Sequence, residues 1–168
     1  HDQGMIVPAT ILTIQGHRSF QKEYFDEFAS RSHDGQLCPW DQQADSYWMN
    51  SLNPGFIDWC IQHGKKAIDA GADIIVLDEI QGNSLIPMYQ FAEQYTGLPS
   101  PGFSNVTIES FRSYLKNNFS PDHLVRNYKI SDIDTYDLHE RIKSSMNLSY
   151  YERINFDSLI EAYQGFLE

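Results

Sequence analysis

Cysteine is scarce in this chain of 168 residues, Cys38 and Cys60 being the only two. Their spacing forms no CxxC pair, so neither a disulfide framework nor a zinc site has support, and at most one bridge could form. Basic residues are few as well: 12 Lys and Arg stand against 23 Asp and Glu, a net charge of -11. So acidic a chain is a poor match to the phosphates of a nucleic acid or to an anionic membrane surface. No apolar run approaches the ~20 residues that span a bilayer, so no membrane partner is expected. GxGxxG, GxxxxGK[ST], HExxH and GxSxG are all missing, which removes the dinucleotide, P-loop, zincin and simplest serine-hydrolase readings. There is no internal repeat and no low-complexity stretch. The opening HDQGM lacks an initiator Met and the basic and apolar regions of a signal peptide, so the expectation is a processed or excised piece whose compartment is open.

Hydrophobic residues make up 41% and aromatic ones 14%, enough to build a sizeable core in a chain the length of one domain. Asn53 to Asn83, NPGFIDWCIQHGKKAIDAGADIIVLDEIQGN, is the most structured reading. Asn53 suits an N-cap and Pro54 the first helical position, while Phe56, Trp59, Cys60, His63 and Ala67 share one helical face. Gly71 ends the helix in a left-handed turn. Ile74 to Leu77 is then a continuous branched run of the kind found in parallel strands covered on both faces. Two carboxylates, Asp78 and Glu79, follow it. Chemistry in parallel α/β folds gathers at the carboxyl ends of strands, and an acid leaving an apolar strand needs a partner or a task. Side chains alternate along a strand, so one of the two faces a cleft and the other supports it.

Met5 to Ile14, MIVPATILTI, reads as a second strand, ending in Gln15-Gly16-His17 at a position where a ligand would be met. Ser19 to Ser30 shows Phe20, Tyr24, Phe25 and Phe28 at helical spacing. Arg31 to Leu52 loses all periodicity over 22 residues, and a connection that long is usually functional or disordered. Trp40, Asp41, Tyr47 and Trp48 make it a candidate cleft rim, together with His33 and Asp45. Further on, Gln81 to Ser84 reads as a loop, Pro87 to Tyr95 as a short helix and Gly97 to Gly102 as a breaker. Helices are expected over Val106 to Asn118, just after Ser120-Pro121, over Ser131 to Lys143 and over Tyr150 to Leu167.

Tyr47 to Trp59, YWMNSLNPGFIDW, and Asp69 to Ile80, DAGADIIVLDEI, resemble the middle of glycoside-hydrolase-like (β/α)8 barrels, and FRSYLKNNFSPDHLVRNYKI resembles an insertion seen in such barrels. The likeness covers about Asp41 to Ile130. It implies that Asp78 or Glu79 is the catalytic acid and that Asn50, Trp48 and Asp41 lie near the substrate. Glycosidic cleavage takes two carboxylates, one as acid and one as nucleophile or base, and no second acid is carried on another strand of this sequence. A full barrel takes ~250 residues, so the expected fold is α/β and partial (β/α)8-barrel-like, with parallel strands, flanking helices and a helix-rich C-terminal half.

Residues 1–168 are accordingly one domain or a fragment of a larger barrel. The expected activity is cleavage of an O-glycosidic bond by Asp78 and Glu79, with Gln15, His17, Trp40, Asp41, Tyr47, Trp48 and Asn50 binding the carbohydrate and no cofactor or metal required. Two alternatives stand beside it: a non-catalytic carbohydrate-binding or assembly module, and a lyase or aldolase holding Mg²⁺ or Ca²⁺ on Asp78, Glu79 and His17. The remaining partner is the rest of a larger chain or a second copy.

Overall fold

A computed structural model of the chain describes residues 4–19, 23–40, 45–78, 98–99, 101–144 and 158–167. Its strands are β1 (Pro8–Leu12), β2 (Gln15–His17), β3 (Ser46–Trp48) and β4 (Ile74–Asp78). β1 and β4 pair in parallel, Pro8 opposite Ile74 and Leu12 opposite Asp78, while β2 and β3 form an antiparallel pair. The fold is therefore mixed α/β, and among the described residues each sheet has two strands and no barrel closes. The first helix, α1 (Phe25–Phe28), is one turn long.

The crossover from β1 to β4 contains α2 (Pro54–Asp69), whose ends are set by local chemistry. Asn53 Oδ1 accepts hydrogen bonds from the Gly55 and Phe56 amides at 2.8 and 3.3 Å, and its Nδ2 donates to the Glu27 carbonyl at 2.9 Å. One side chain thus caps α2 and ties it to α1. At the other end Gly71 takes φ of +99°, and the Ala72 amide reaches back to the Ala67 carbonyl at 3.0 Å. Asn53→Ala removes the cap and strands the Glu27 carbonyl, an expected loss of about 2 kcal/mol in urea denaturation. A loss below about 0.5 kcal/mol would mean that the cap is dispensable.

α2 packs on one face of the parallel pair, where Ile11, Ile75 and Leu77 meet Phe56, Cys60 and Gly64 around a cavity of about 310 Å³. The opposite face differs from the expectation of a strand covered on both sides. Ile74 and Val76 are 48% and 41% exposed, and on the helix side Leu77 is 56% exposed. The reason is that α2 is the principal neighbour of the pair among the described residues, and one helix covers less than one face of a two-stranded sheet.

The larger core belongs to the helical half: α3 (Asn105–Asn118), the short α4 (Pro121–His123), α5 (Leu138–Lys143) and α6 (Ser158–Leu167). Ile108, Phe111 and Leu115 line one side of α3 and pack with Leu138, Ile142, Leu159, Ile160 and Tyr163. α4 runs into a wide π-type turn, Leu124–Tyr128, closed by Lys129 in the left-handed region at φ 61° and by the Ile130 amide on the Leu124 carbonyl.

Among the described residues, two expected helices are shorter than their periodicity implies. Over Ser131 to Lys143 the helix begins only at Leu138. Asp132 closes a turn of its own by accepting from the Asp134 amide and the Thr135 hydroxyl, and Asp137 is the N-cap, accepting from the Glu140 amide at 2.9 Å. Of the helix expected over Ser19 to Ser30, the described residues 23–30 hold only α1, which ends where Ala29 leaves it to bridge Met49. Of the helix expected over Tyr150 to Leu167, Ser158–Leu167 is helical and the residues before it lie outside the described ones. The stretch from Arg31 to Leu52 is not structureless: β3 and the bridges Arg31 with Leu37 and Pro39 with Tyr47 organise it. The expected loop at Gln81 to Ser84 and helix at Pro87 to Tyr95 lie outside the described residues. No helix among the described residues is long and apolar enough to cross a membrane.

Candidate functional site

The parallel strands run out side by side at Leu12 and Asp78. The Asp78 carbonyl accepts from the Thr13 amide at 3.3 Å and the Thr13 hydroxyl at 2.9 Å, which pins the two strand ends together. After a two-residue bend the chain enters β2, so the antiparallel pair sits at the carboxyl end of the parallel one. The Met49 amide, donating to the Ile14 carbonyl at 2.7 Å, fastens the end of β3 to the same corner.

Register sorts the candidate residues. Gln15 lies opposite Trp48 and His17 opposite Ser46, so these four share one face, and Gly16 and Tyr47 take the other. Gln15 Nε2 donates to the Ser46 hydroxyl, which is buried. Gln15 and His17 line a cavity of about 290 Å³ with Leu12, Trp59 and His63. His63 stacks on the Trp59 ring, centroids 3.8 Å apart, with Nδ1 2.8 Å from the Trp59 carbonyl. Both lie on the helical face that the sequence spacing predicts for α2, where neither is singled out as a site residue. Their polar atoms at the edge of an apolar stripe were the signal that they also border a cavity.

The aromatic residues divide. Trp48, expected to offer a stacking face, is 4% exposed, enclosed by Ile14, Cys38 and Trp40. Trp40 lies against it, centroids 4.4 Å apart, and is only half-buried. Tyr47 points away from both: the Arg18 guanidinium lies 5.2 Å from its ring centroid and Phe25 meets it edge-on at 5.0 Å. Its ring belongs to the small core of Phe25, Phe28, Met49 and Phe56.

Asp78 is exposed and shares its strand face with Ile74 and Val76, opposite α2. Asn50 is elsewhere. It is buried, its amide donating to the Phe28 carbonyl at 2.7 Å and its Oδ1 accepting from the Leu52 amide at 3.0 Å and the Thr107 hydroxyl at 3.4 Å. It lines a separate cleft facing the helical half. Glu79 and Asp41 lie outside the described residues.

Both cysteines are free thiols, and burial pushes the Cys60 thiol up, away from the reactive thiolate. Among the described residues no group of three or more His, Cys, Asp or Glu side chains is placed to hold a metal ion. The strand ends thus carry an imidazole and a primary amide at the cavity beside α2, a partly open indole against Trp48, and an exposed carboxylate on the sheet face away from α2. Such a set can accept from and donate to hydroxyl groups and cover one apolar ring face. No family model matches the chain, and comparison with curated proteins and with solved structures gives no match either.

Proposed function

We propose that this chain forms part of a (β/α)8-type carbohydrate-active protein that cleaves an O-glycosidic bond at the carboxyl end of its parallel strands. One observation carries this reading: Asp78 ends its strand beside the corner from which Gln15 and His17 depart. Parallel α/β enzymes use that end of the sheet for chemistry. In this reading Asp78 is the nucleophile or stabilising carboxylate and Glu79 its neighbour or the acid. Gln15 and His17 hold hydroxyls, and Trp40, backed by Trp48, covers a sugar face. β1 and β4 are two staves of the barrel, α2 belongs to the outer ring, and the open face bearing Ile74 and Val76 is the one a barrel would turn inward.

A non-catalytic carbohydrate-binding role is the second reading. It is favoured by the ends of the parallel pair carrying a single carboxylate among the described residues, where cleavage takes two. Titration with oligosaccharides, followed by tryptophan fluorescence, tests both. Trp40→Ala is expected to weaken binding roughly tenfold or more, as removal of a central aromatic contact does. Release of new reducing ends separates the hydrolase from the binding module. If no oligosaccharide perturbs the fluorescence of the wild-type chain, neither reading survives.

A further inference from the structure

A cleft of about 530 Å³ opens between the loop at Ser32 to Gly35, the first turn of α3 and the α5 residues His139 and Lys143, away from the strand-end corner. Asn50 forms part of its lining and is 3% exposed. Both bonds to its side chain are accepted by Oδ1, from the Leu52 amide and the Thr107 hydroxyl. That fixes which end of the amide is oxygen and leaves Nδ2 as a donor with no acceptor among the described residues. It is not sealed in: the one fully enclosed side-chain nitrogen or oxygen lacking a partner among the described residues is Nδ1 of His33, another lining residue. A donor on so buried a side chain, reached only from the cleft, is free to bond water or an acceptor group of a ligand seated there.

The N-terminus of α3 adds a second set of donors. Ser104 stands at the N-cap of this 14-residue helix yet makes no capping bond, because its hydroxyl accepts from the Arg31 amide at 3.1 Å. The N-cap Ser104 and the first α3 residues Asn105 and Val106 border the cleft, their leading amides uncapped by any side chain among the described residues and with the positive end of the helix dipole behind them. Two cations flank it. Arg31 reaches the Asp26 carboxylate at 3.4 Å, and Lys143 the Glu140 carboxylate at 3.4 Å. Of the acids on the rim, Asp26 faces Arg31, and Asp34 accepts from the Ser32 hydroxyl and from Gln36 Nε2, bonds that hold its carboxyl below the usual range. Glu27 Oε1 lies at the Gly55 side.

The geometry points to this cleft as a binding site for a compact oxyanion, a carboxylate or phosphate group seated between Asn50 Nδ2 and the N-terminus of α3. The Asp26 and Asp34 carboxylates are spent on neighbours and Glu27 Oε1 lies beside Gly55, while Asn50 Nδ2 and the leading α3 amides are donors with capacity left. An oxyanion supplies several acceptor oxygens and the charge the helix end favours. The site is distinct from the strand-end corner and does not depend on its chemistry.

Titrating the ¹⁵N-labelled chain with inorganic phosphate and, separately, with acetate tests the proposal. The Asn50 side-chain amide and the Asn105 and Val106 backbone amides should shift together and saturate with at least one of the two, and the tighter one identifies the anion class. Asn50→Asp keeps the oxygen that serves Leu52 and Thr107 while replacing the donor by an acceptor. It should weaken binding roughly ten- to a hundredfold. Lys143→Gln, a change on the surface of α5, should weaken it several-fold in a chain whose folding does not depend on Asn50. Lys65→Gln on the distant α2 should leave it unchanged. Unmoved Asn50 and α3 amides at millimolar anion, or equal weakening by Lys65→Gln and Lys143→Gln, would overturn the assignment and mark the response as general charge screening.

Discussion

Phe111→Ala should destabilise the protein by about 4 kcal/mol, within the range for removing a fully buried aromatic ring. Phe111 is 0% exposed and sits at the centre of the helical core. Its ring meets Tyr163 edge-on at 4.9 Å, Phe166 at 5.3 Å and Tyr114 at 6.2 Å, so truncation opens a void bordered by three other rings. The neighbours cannot collapse freely into it. Tyr163 is anchored by its hydroxyl, which donates to the Gly102 carbonyl, and its burial pushes the phenol well above the usual range, so it stays a neutral donor. In a chain of this length such a loss corresponds to a melting temperature lower by roughly 10 °C. Urea denaturation and thermal melting measure both quantities. A loss under about 1.5 kcal/mol would show that the helical half repacks rather than forming one fixed core.

What the sequence discloses depends on how local each signal is. The ends of α2 are local: Asn53-Pro54 and Gly71 act on residues within a turn, and they stand where the sequence reading puts them. β4 is equally plain in its branched residues, and its parallel partner begins at Pro8 rather than Met5. Val7 is held only at the margin, its amide donating to the Asp73 carboxylate at 2.9 Å. β3 is hidden because its partner, Gln15 to His17, lies some thirty residues earlier and neither strand has a periodicity of its own. Asp132 and Asp137 shorten a helix that apolar spacing alone would extend, since a carboxylate closing a turn competes with the helical ladder.

The candidate site follows the same division. Gln15, His17 and Asp78 are reached by one rule, that strand ends carry the chemistry, and the paired ends of β1 and β4 bring their segments together. The side of the strand on which a ring lies is a matter of register, which is why Trp48 is enclosed and Tyr47 turns toward Phe25. The cleft at Asn50 was illegible because it joins segments far apart in the chain. Arg31 meets Ser104 across 73 positions and Asn50 meets Thr107 across 57. The resemblance implies that Asn50 lies near a substrate, and the structure places it at a cleft beside the helical half, hydrogen-bonded to Thr107.

Asp78→Asn carries the largest expected effect on activity. The substitution keeps size and shape while removing the charge needed to attack or stabilise an anomeric centre, so turnover of an oligosaccharide should fall by roughly a thousandfold or more. Stability should hardly change, because the Asp78 side chain is exposed and the bonds that fix its strand end run through its backbone carbonyl. Binding should change far less than turnover, since Trp40, Gln15 and His17 are untouched. The decisive measurement is therefore the rate of reducing-end release by wild type and Asp78→Asn on the same oligosaccharide, with the dissociation constant determined for both. The account predicts a turnover difference of roughly a thousandfold with similar binding, and equal turnover in the two proteins would contradict it.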